Sequence, residues 1–132
     1  LVSYGSTLRL CMDAAKQLQE AGISAEVIDV QTLLPFDKNN SIVESVKKTN
    51  RLLIVDEDVP GGASAFILQH ILETQGGYKY LDCEPRTLTG REHRPAYGSD
   101  GDFFSKPGTV DIYDMAYSMM HDAHPGKFPA IY

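Results

Sequence analysis

The sequence has no tryptophan and only two cysteines in 132 residues, and positive charge is in deficit: 12 Lys and Arg stand against 18 Asp and Glu, a formal net charge of −6. That balance gives no electrostatic footprint for a nucleic-acid backbone, so nucleic acid is excluded as a partner. Cys11 and Cys83 match no metal-ligand or redox spacing. Free thiols in a reducing compartment are expected, and with them a cytoplasmic location. Uninterrupted apolar runs stop at four residues, Leu52 to Val55 among them, far short of a membrane span. No basic stretch followed by an apolar one opens the sequence, so no secretory signal is expected. The chain starts abruptly in apolar residues, and a fragment of a longer polypeptide is the expectation. The hydrophobic share of 42% is too high for a disordered chain, and the length suits one domain over residues 1–132.

The pattern alternates strands with helices. Leu1 to Tyr4 reads as a strand ending at Gly5, with Ser6 or Thr7 placed to cap a helix. Leu8, Cys11, Met12, Ala15 and Leu18 give that helix an apolar face, and Gly22 stops it. Ala25 to Val30 reads as a second strand. Asp37 to Asn40 offer caps for a helix carrying Ile42, Val43 and Val46, with Lys47 and Lys48 at the end that favours positive charge. Leu52 to Val55 has the continuous apolar character of a strand buried on both faces. After Pro60-Gly61-Gly62 a third helix carries Phe66, Ile67, His70 and Ile71, and Gly76-Gly77 ends it. Such alternation implies a parallel sheet with helices on both faces.

The second half changes character: residues 1–75 hold 4 Gly and 2 Pro, residues 76–132 hold 7 and 5. A fourth strand is expected around Arg86 to Thr89, then a long Gly-rich loop from Gly90 to Gly108 of the kind that is usually functional or interface-forming. Thr109 is placed to cap a last helix with Ile112, Met115, Ala116 and Met119 in a stripe. Residues 121–132 read as an extended C-terminal arm.

Few residues carry chemistry. Asp56-Glu57-Asp58 after an apolar strand matches how phosphate-accepting receiver domains hold Mg²⁺. Its partner candidates, Asp100 and Asp102, have no strand before them, so a solvated strand end or interface loop fits better. Ser99-Asp100-Gly101-Asp102 lacks the first glycine of a thiamine-type diphosphate–Mg²⁺ motif, and no asparagine follows Asn50. His121 and His124 have no third metal ligand. His70 lies on an apolar helix side, where a buried or interface histidine is commoner than a catalytic one. Met115, Met119 and Met120 are more often core filler than a binding surface. Gly61-Gly62 before a helix can cradle an anion, but a tight turn explains both glycines. No Ser-His-Asp or Cys-His arrangement can be assembled.

The order of segments is more telling than any site. Ser3-Tyr4-Gly5-Ser6-Thr7, then Ala25 to Asp37 with Gln31-Thr32-Leu33-Leu34-Pro35-Phe36-Asp37, Ser45 to Arg51, Val55-Asp56-Glu57 with Gly61-Gly62, Tyr80-Leu81-Asp82 and Arg86-Thr87-Leu88-Thr89-Gly90 resemble one family. It is the C-terminal domain of the beta part of thiamine-diphosphate-dependent 2-oxoacid dehydrogenases. The pyruvate and branched-chain (2-oxoisovalerate) enzymes are nearest, and transketolase shares the domain fold. Departures are Phe66, where the family often has Glu, the form His93-Arg94-Pro95-Ala96-Tyr97 with a Gly-rich insert, and Cys83-Glu84-Pro85 in place of Ala-Pro. The insert is most similar to enzymes with fused alpha and beta parts.

The resemblance implies a three-layer α/β/α sandwich with a Rossmann-like parallel sheet ordered 2-1-3-4, and a further antiparallel strand upstream of Leu1. It implies a whole enzyme that decarboxylates a 2-oxoacid on thiamine diphosphate and Mg²⁺ and acylates a lipoyl group on a dihydrolipoyl acyltransferase. In the family the cofactor lies between the alpha part and the N-terminal half of the beta part. No catalytic, cofactor-binding or metal residue is therefore expected in this domain. Its implied roles are to join two beta parts, with Phe66, His70 and the Met115–Met120 cluster as candidate contacts, and to dock the acyltransferase through Asp82, with Glu84 strengthening the negative field. The other readings are a stand-alone flavodoxin-like binding or regulatory module, and the C-terminal domain of a transketolase or sugar-phosphate synthase.

Overall fold

The computed structural model describes residues 1–94, 97–98 and 101–131. Pro95, Ala96, Ser99, Asp100 and Tyr132 lie outside the described residues, and with them part of the His93–Tyr97 comparison and the Asp100 readings. In chain order the elements are β1 (Val2–Ser3), α1 (Ser6–Glu20), β2 (Ile28–Asp29), α2 (Ser41–Thr49), β3 (Leu53–Val55) and α3 (Ala63–Gln69). A π-helical segment (His70–Thr74) continues α3, and a 3-10 turn (Gly77–Tyr80) follows. Then come β4 (Arg86–Leu88), α4 (Gly101–Ser105) and α5 (Thr109–Ala123). The four strands are parallel in the order β2-β1-β3-β4, with Val2 opposite both Ile28 and Ile54, and Ile54 opposite Thr87. The expected order is met.

β3 explains the layering. Successive side chains of a strand point to opposite faces. Leu53 and Val55 accordingly pack with Cys11 and Ala14 of α1 and with Ile112 and Met119 of α5. Leu52 and Ile54 pack on the other face with Ile42 and Val46 of α2, Ile67 of α3 and Ile71. Both faces of the sheet are covered, as a continuous apolar strand requires, and fully burying each such aliphatic side chain contributes about 1.5–3 kcal/mol.

Several local expectations are corrected. α1 buries Thr7, Cys11, Ala14 and Leu18, whereas Met12 is 47% exposed. The stripe is rotated because Thr7 satisfies its hydroxyl locally, bonding the Ser3 hydroxyl at 2.7 Å and the Tyr4 carbonyl at 3.0 Å. Neither Ser6 nor Thr7 caps α1: Gly5, at φ 60°, occupies the cap position, and the Ser6 hydroxyl donates to Glu57 instead. The second strand shortens to Ile28–Asp29, held by Ile28 N–H to the Leu1 carbonyl and Val30 N–H to the Ser3 carbonyl. Gly108, not Thr109, precedes α5, and its N–H donates to Asp111 at 2.7 Å. The Gly-rich stretch is not all loop, since α4 lies inside it.

Other signals hold. Asp37 accepts the N–H groups of Ser41 and Ile42, both at 2.9 Å, and so caps α2 from four residues upstream of its start. Gly76 ends the third helical run at φ 67°. The C-terminal arm is a further correction. α5 runs on to Ala123, and the tail after it folds back, burying Phe128 to 3% against Leu18 and Ile23. His121 bonds the Phe128 carbonyl through Nδ1 at 2.7 Å and the Tyr117 hydroxyl donates to the Pro129 carbonyl at 3.0 Å. An aromatic plug near the chain end has no periodicity to announce it.

Candidate functional site

In an open parallel sheet, ligands are held beyond the carboxyl ends of the strands where the order reverses. Here that place lies between β1 and β3, and the chain fills it itself. Asp56, fully buried at the end of β3, accepts three hydrogen bonds: from the Tyr4 hydroxyl at 2.6 Å, Asp58 N–H at 3.0 Å and Ser64 N–H at 2.9 Å. The last places a carboxylate of the chain on the first turn of α3, where an exogenous anion would otherwise sit. Burial first, and then the bond to Asp56, push the Tyr4 phenol well above its ordinary value of 10. Glu57 takes the Ser6 hydroxyl at 2.7 Å and lies 3.6 Å from Lys106. Asp58 accepts the Val59 N–H and leans over Gly62, where a Cβ would meet its carboxylate at 2.3 Å. The acidic run is therefore a knot that joins β1, β3 and α3.

The two sequence-predicted docking residues sit at the opposite end of the sheet, in the approach to β4. Asp82 is anchored by its N–H, which donates to the Asn50 carbonyl at 3.1 Å. Its half-exposed carboxylate lies 3.4 Å from the mostly buried Arg51 guanidinium. Glu84 is exposed two residues on. Between them Cys83 is partly buried, and that burial raises its thiol. Arg86 donates to Ser118 at 3.0 Å and to Asp122 at 2.8 Å, which brings a further carboxylate to the same end of β4. Sequence reasoning missed Arg51 as the counter-ion of Asp82, because the two are neighbours only once α2 and β4 are assembled.

Phe66 of α3 and His70 at the start of the π-helical segment come together, with ring centroids 4.3 Å apart. Phe36, from the loop between β2 and α2, completes the cluster at 6.0 Å from Phe66 and 5.2 Å from His70. All three are half-buried, and Leu34 nearby in sequence is 85% exposed. The methionines divide differently: Met119 is core, and Met115 and Met120 pack against core clusters, so core packing claims them. Among the described residues no group of three His, Cys, Asp or Glu is placed to hold a metal ion, and no helix is long and apolar enough to cross a membrane.

The family described as the transketolase C-terminal domain matches residues 1–106. The chain is 32% identical over 114 residues to the mitochondrial pyruvate dehydrogenase E1 component subunit beta of Saccharomyces cerevisiae, covering 85% of this chain and 31% of that one. It is 31% identical over 115 residues to the pyruvate dehydrogenase E1 component subunit beta of Rhizobium meliloti, covering 86% and 24%. Over 77 residues it is 36% identical to the 2-oxoisovalerate dehydrogenase subunit beta of Bacillus subtilis, covering 54% and 23%. The chain thus spans a third or less of the length of these relatives. With its four parallel strands in the order β2-β1-β3-β4 and a match over most of its length, the chain belongs to the transketolase C-terminal domain family.

Proposed function

We propose that this chain is the C-terminal assembly and docking domain of the decarboxylating component of a 2-oxoacid dehydrogenase complex. The complete enzyme oxidatively decarboxylates a 2-oxoacid and passes the acyl group to lipoyl. The observation that carries the reading is the similarity of 85% of the chain to a pyruvate dehydrogenase E1 beta subunit, joined to a surface that offers contacts more readily than chemistry. Phe36, Phe66 and His70 supply an aromatic face for a second beta part. Asp82 and Glu84 supply negative charge for a basic domain of the dihydrolipoyl acyltransferase. The alpha part and the N-terminal beta domain are the remaining partners, and the two free cysteines suit a reducing compartment.

Thiamine diphosphate and Mg²⁺ belong, on this reading, to the rest of the enzyme. The residues present here do not fit the pair. Both oxygens of Asp56 are engaged by Tyr4, Asp58 and Ser64, and Glu57 is engaged by Ser6 and Lys106, so the strand-end carboxylates are committed to donors of the chain itself. Calorimetric titration of the chain with thiamine diphosphate and Mg²⁺ tests this. No micromolar binding is expected, and micromolar binding overturns the assignment. The stand-alone receiver-like module predicts stabilisation by Mg²⁺ with a phosphodonor, which the engagement of Asp56 disfavours.

A further inference from the structure

Between the C-terminal end of β4 and helices α4 and α5 lies a crevice of about 180 Å³, lined by Leu88, Arg91, Phe103, Phe104, Ser105 and Pro107 among others. None of Asp82, Glu84, Phe66 or His70 reaches it. Ser105 is 6% exposed, and among the described residues its hydroxyl has no hydrogen-bond partner. A buried hydroxyl left unpaired is destabilising and rare in folded proteins, so a group that bonds it when present is called for. Arg91 stands beside it. Its backbone N–H donates to the Ser105 carbonyl at 2.9 Å, and its guanidinium carbon lies 4.4 Å from the centroid of the Phe104 ring. His93 also lies against Phe104, with ring centroids 5.4 Å apart and the planes tilted.

The remaining charges are spoken for. Lys106 lies 3.6 Å from Glu57 and 3.7 Å from Asp102, and Asp111 accepts the Gly108 N–H. Among the described residues Arg91 makes no ion pair, so it is the uncommitted charge of the crevice. A guanidinium stacked on a ring keeps its fork of N–H donors for a planar carboxylate.

We propose that this crevice binds a small monocarboxylate. Its oxygens pair with Arg91 and the Ser105 hydroxyl, and its short apolar tail lies against Leu88, Phe103 and Pro107. The one cation left unpaired among the described residues of the crevice matches one negative charge. A phosphate dianion would bring a second charge close to Asp111, which lines the crevice, with Lys106 already paired to Glu57 and Asp102 and so not free to compensate it.

The test is a titration of the isotope-labelled chain with sodium isobutyrate, followed by NMR, beside sodium chloride and sodium phosphate at matched ionic strength. Isobutyrate is expected to give saturable shifts of the Arg91 and Ser105 amides and the Phe104 ring, with chloride and phosphate giving none. Arg91→Gln and Ser105→Ala should each weaken binding by at least about tenfold, the worth of a hydrogen bond to a charged group. Ser105→Ala should also leave the melting temperature unchanged or raise it, because it removes an unpaired buried hydroxyl. A merely structural Ser105 would lower stability on substitution and leave binding alone. Absence of saturable shifts, equal shifts with phosphate, or unchanged affinity in both variants overturns the proposal.

Discussion

Tyr4 donates its phenolic proton to Oδ1 of Asp56 across 2.6 Å, although the two residues are 52 positions apart in sequence. The bond closes the gap between the carboxyl ends of β1 and β3. The same carboxylate reaches the Ser64 N–H through Oδ2, so one side chain sets two strand ends and the start of α3. Buried carboxylates of this kind persist because their lone pairs are filled; removing one partner leaves the others exposed to the cost.

Tyr4→Phe should lower stability by about 1.5–3 kcal/mol, the range for a hydrogen bond to a charged group. The pH dependence gives a second reading. Because the folded phenol titrates above its ordinary value of 10, the folded state keeps a proton that the unfolded chain loses. Stability from this group is therefore complete below pH 10 and declines as pH rises from there toward the folded value. Urea unfolding at pH 7 and in the alkaline range should show a shallower alkaline decline for Tyr4→Phe than for the natural chain.

Backbone approaches make a sharper contrast. A Cβ at Gly90 would meet the Glu57 carbonyl oxygen at 2.4 Å, and one at Gly77 would meet that of Ile71 at 2.7 Å. Neither obstacle is a flexible side-chain end. Gly90→Ala and Gly77→Ala should each cost about 1–3 kcal/mol through forced backbone shifts. Gly126, which has nothing within 4 Å and no left-handed φ, should accept alanine without loss. Thermal melts of the three variants check the ranking.

Which parts of this were legible in the sequence follows from range. The strand order came with the resemblance, and the buried character of β3 was visible in Leu52 to Val55 because continuous apolarity is a local signal. The Asp37 cap was visible for the same reason. The rotation of the α1 stripe was not, since it depends on Thr7 finding bonds from Ser3 and Tyr4 after the turn has formed. Asp56 stood out as an acidic strand end, yet its partners Tyr4 and Ser64 are fixed only by the sheet order. Phe36 was hidden likewise: it lies 30 residues before Phe66, and the loop between β2 and α2 carries it to Phe66.

On the proposed function the aromatic cluster forms the contact between two beta parts. Replacing Phe66 and His70 together by alanine removes two of its three rings and should weaken the contact between two beta parts by at least about 2 kcal/mol, as for residues central to an interface. The fold should persist, because Ile67 and Ile71, not these two, are fully buried. Sedimentation of the complete enzyme carrying the double variant should show dissociation at concentrations where the natural enzyme stays paired. An unchanged profile removes these residues from the contact.

On the proposed function Asp82 docks the acyltransferase, and its setting determines what its loss would do. Arg51 lies 3.4 Å from that carboxylate, so Asp82→Ala both deletes a negative charge and leaves a cation facing any basic partner. The most direct measurement is the affinity of the complete decarboxylating component for its dihydrolipoyl acyltransferase, with and without Asp82→Ala, at low and at high salt. Natural enzyme should bind more weakly as salt rises. The variant should lose about 1–3 kcal/mol at low salt and show a shallower salt dependence, while decarboxylation assayed with an artificial electron acceptor stays unchanged. Equal affinity of the two proteins at both salt concentrations would contradict the account.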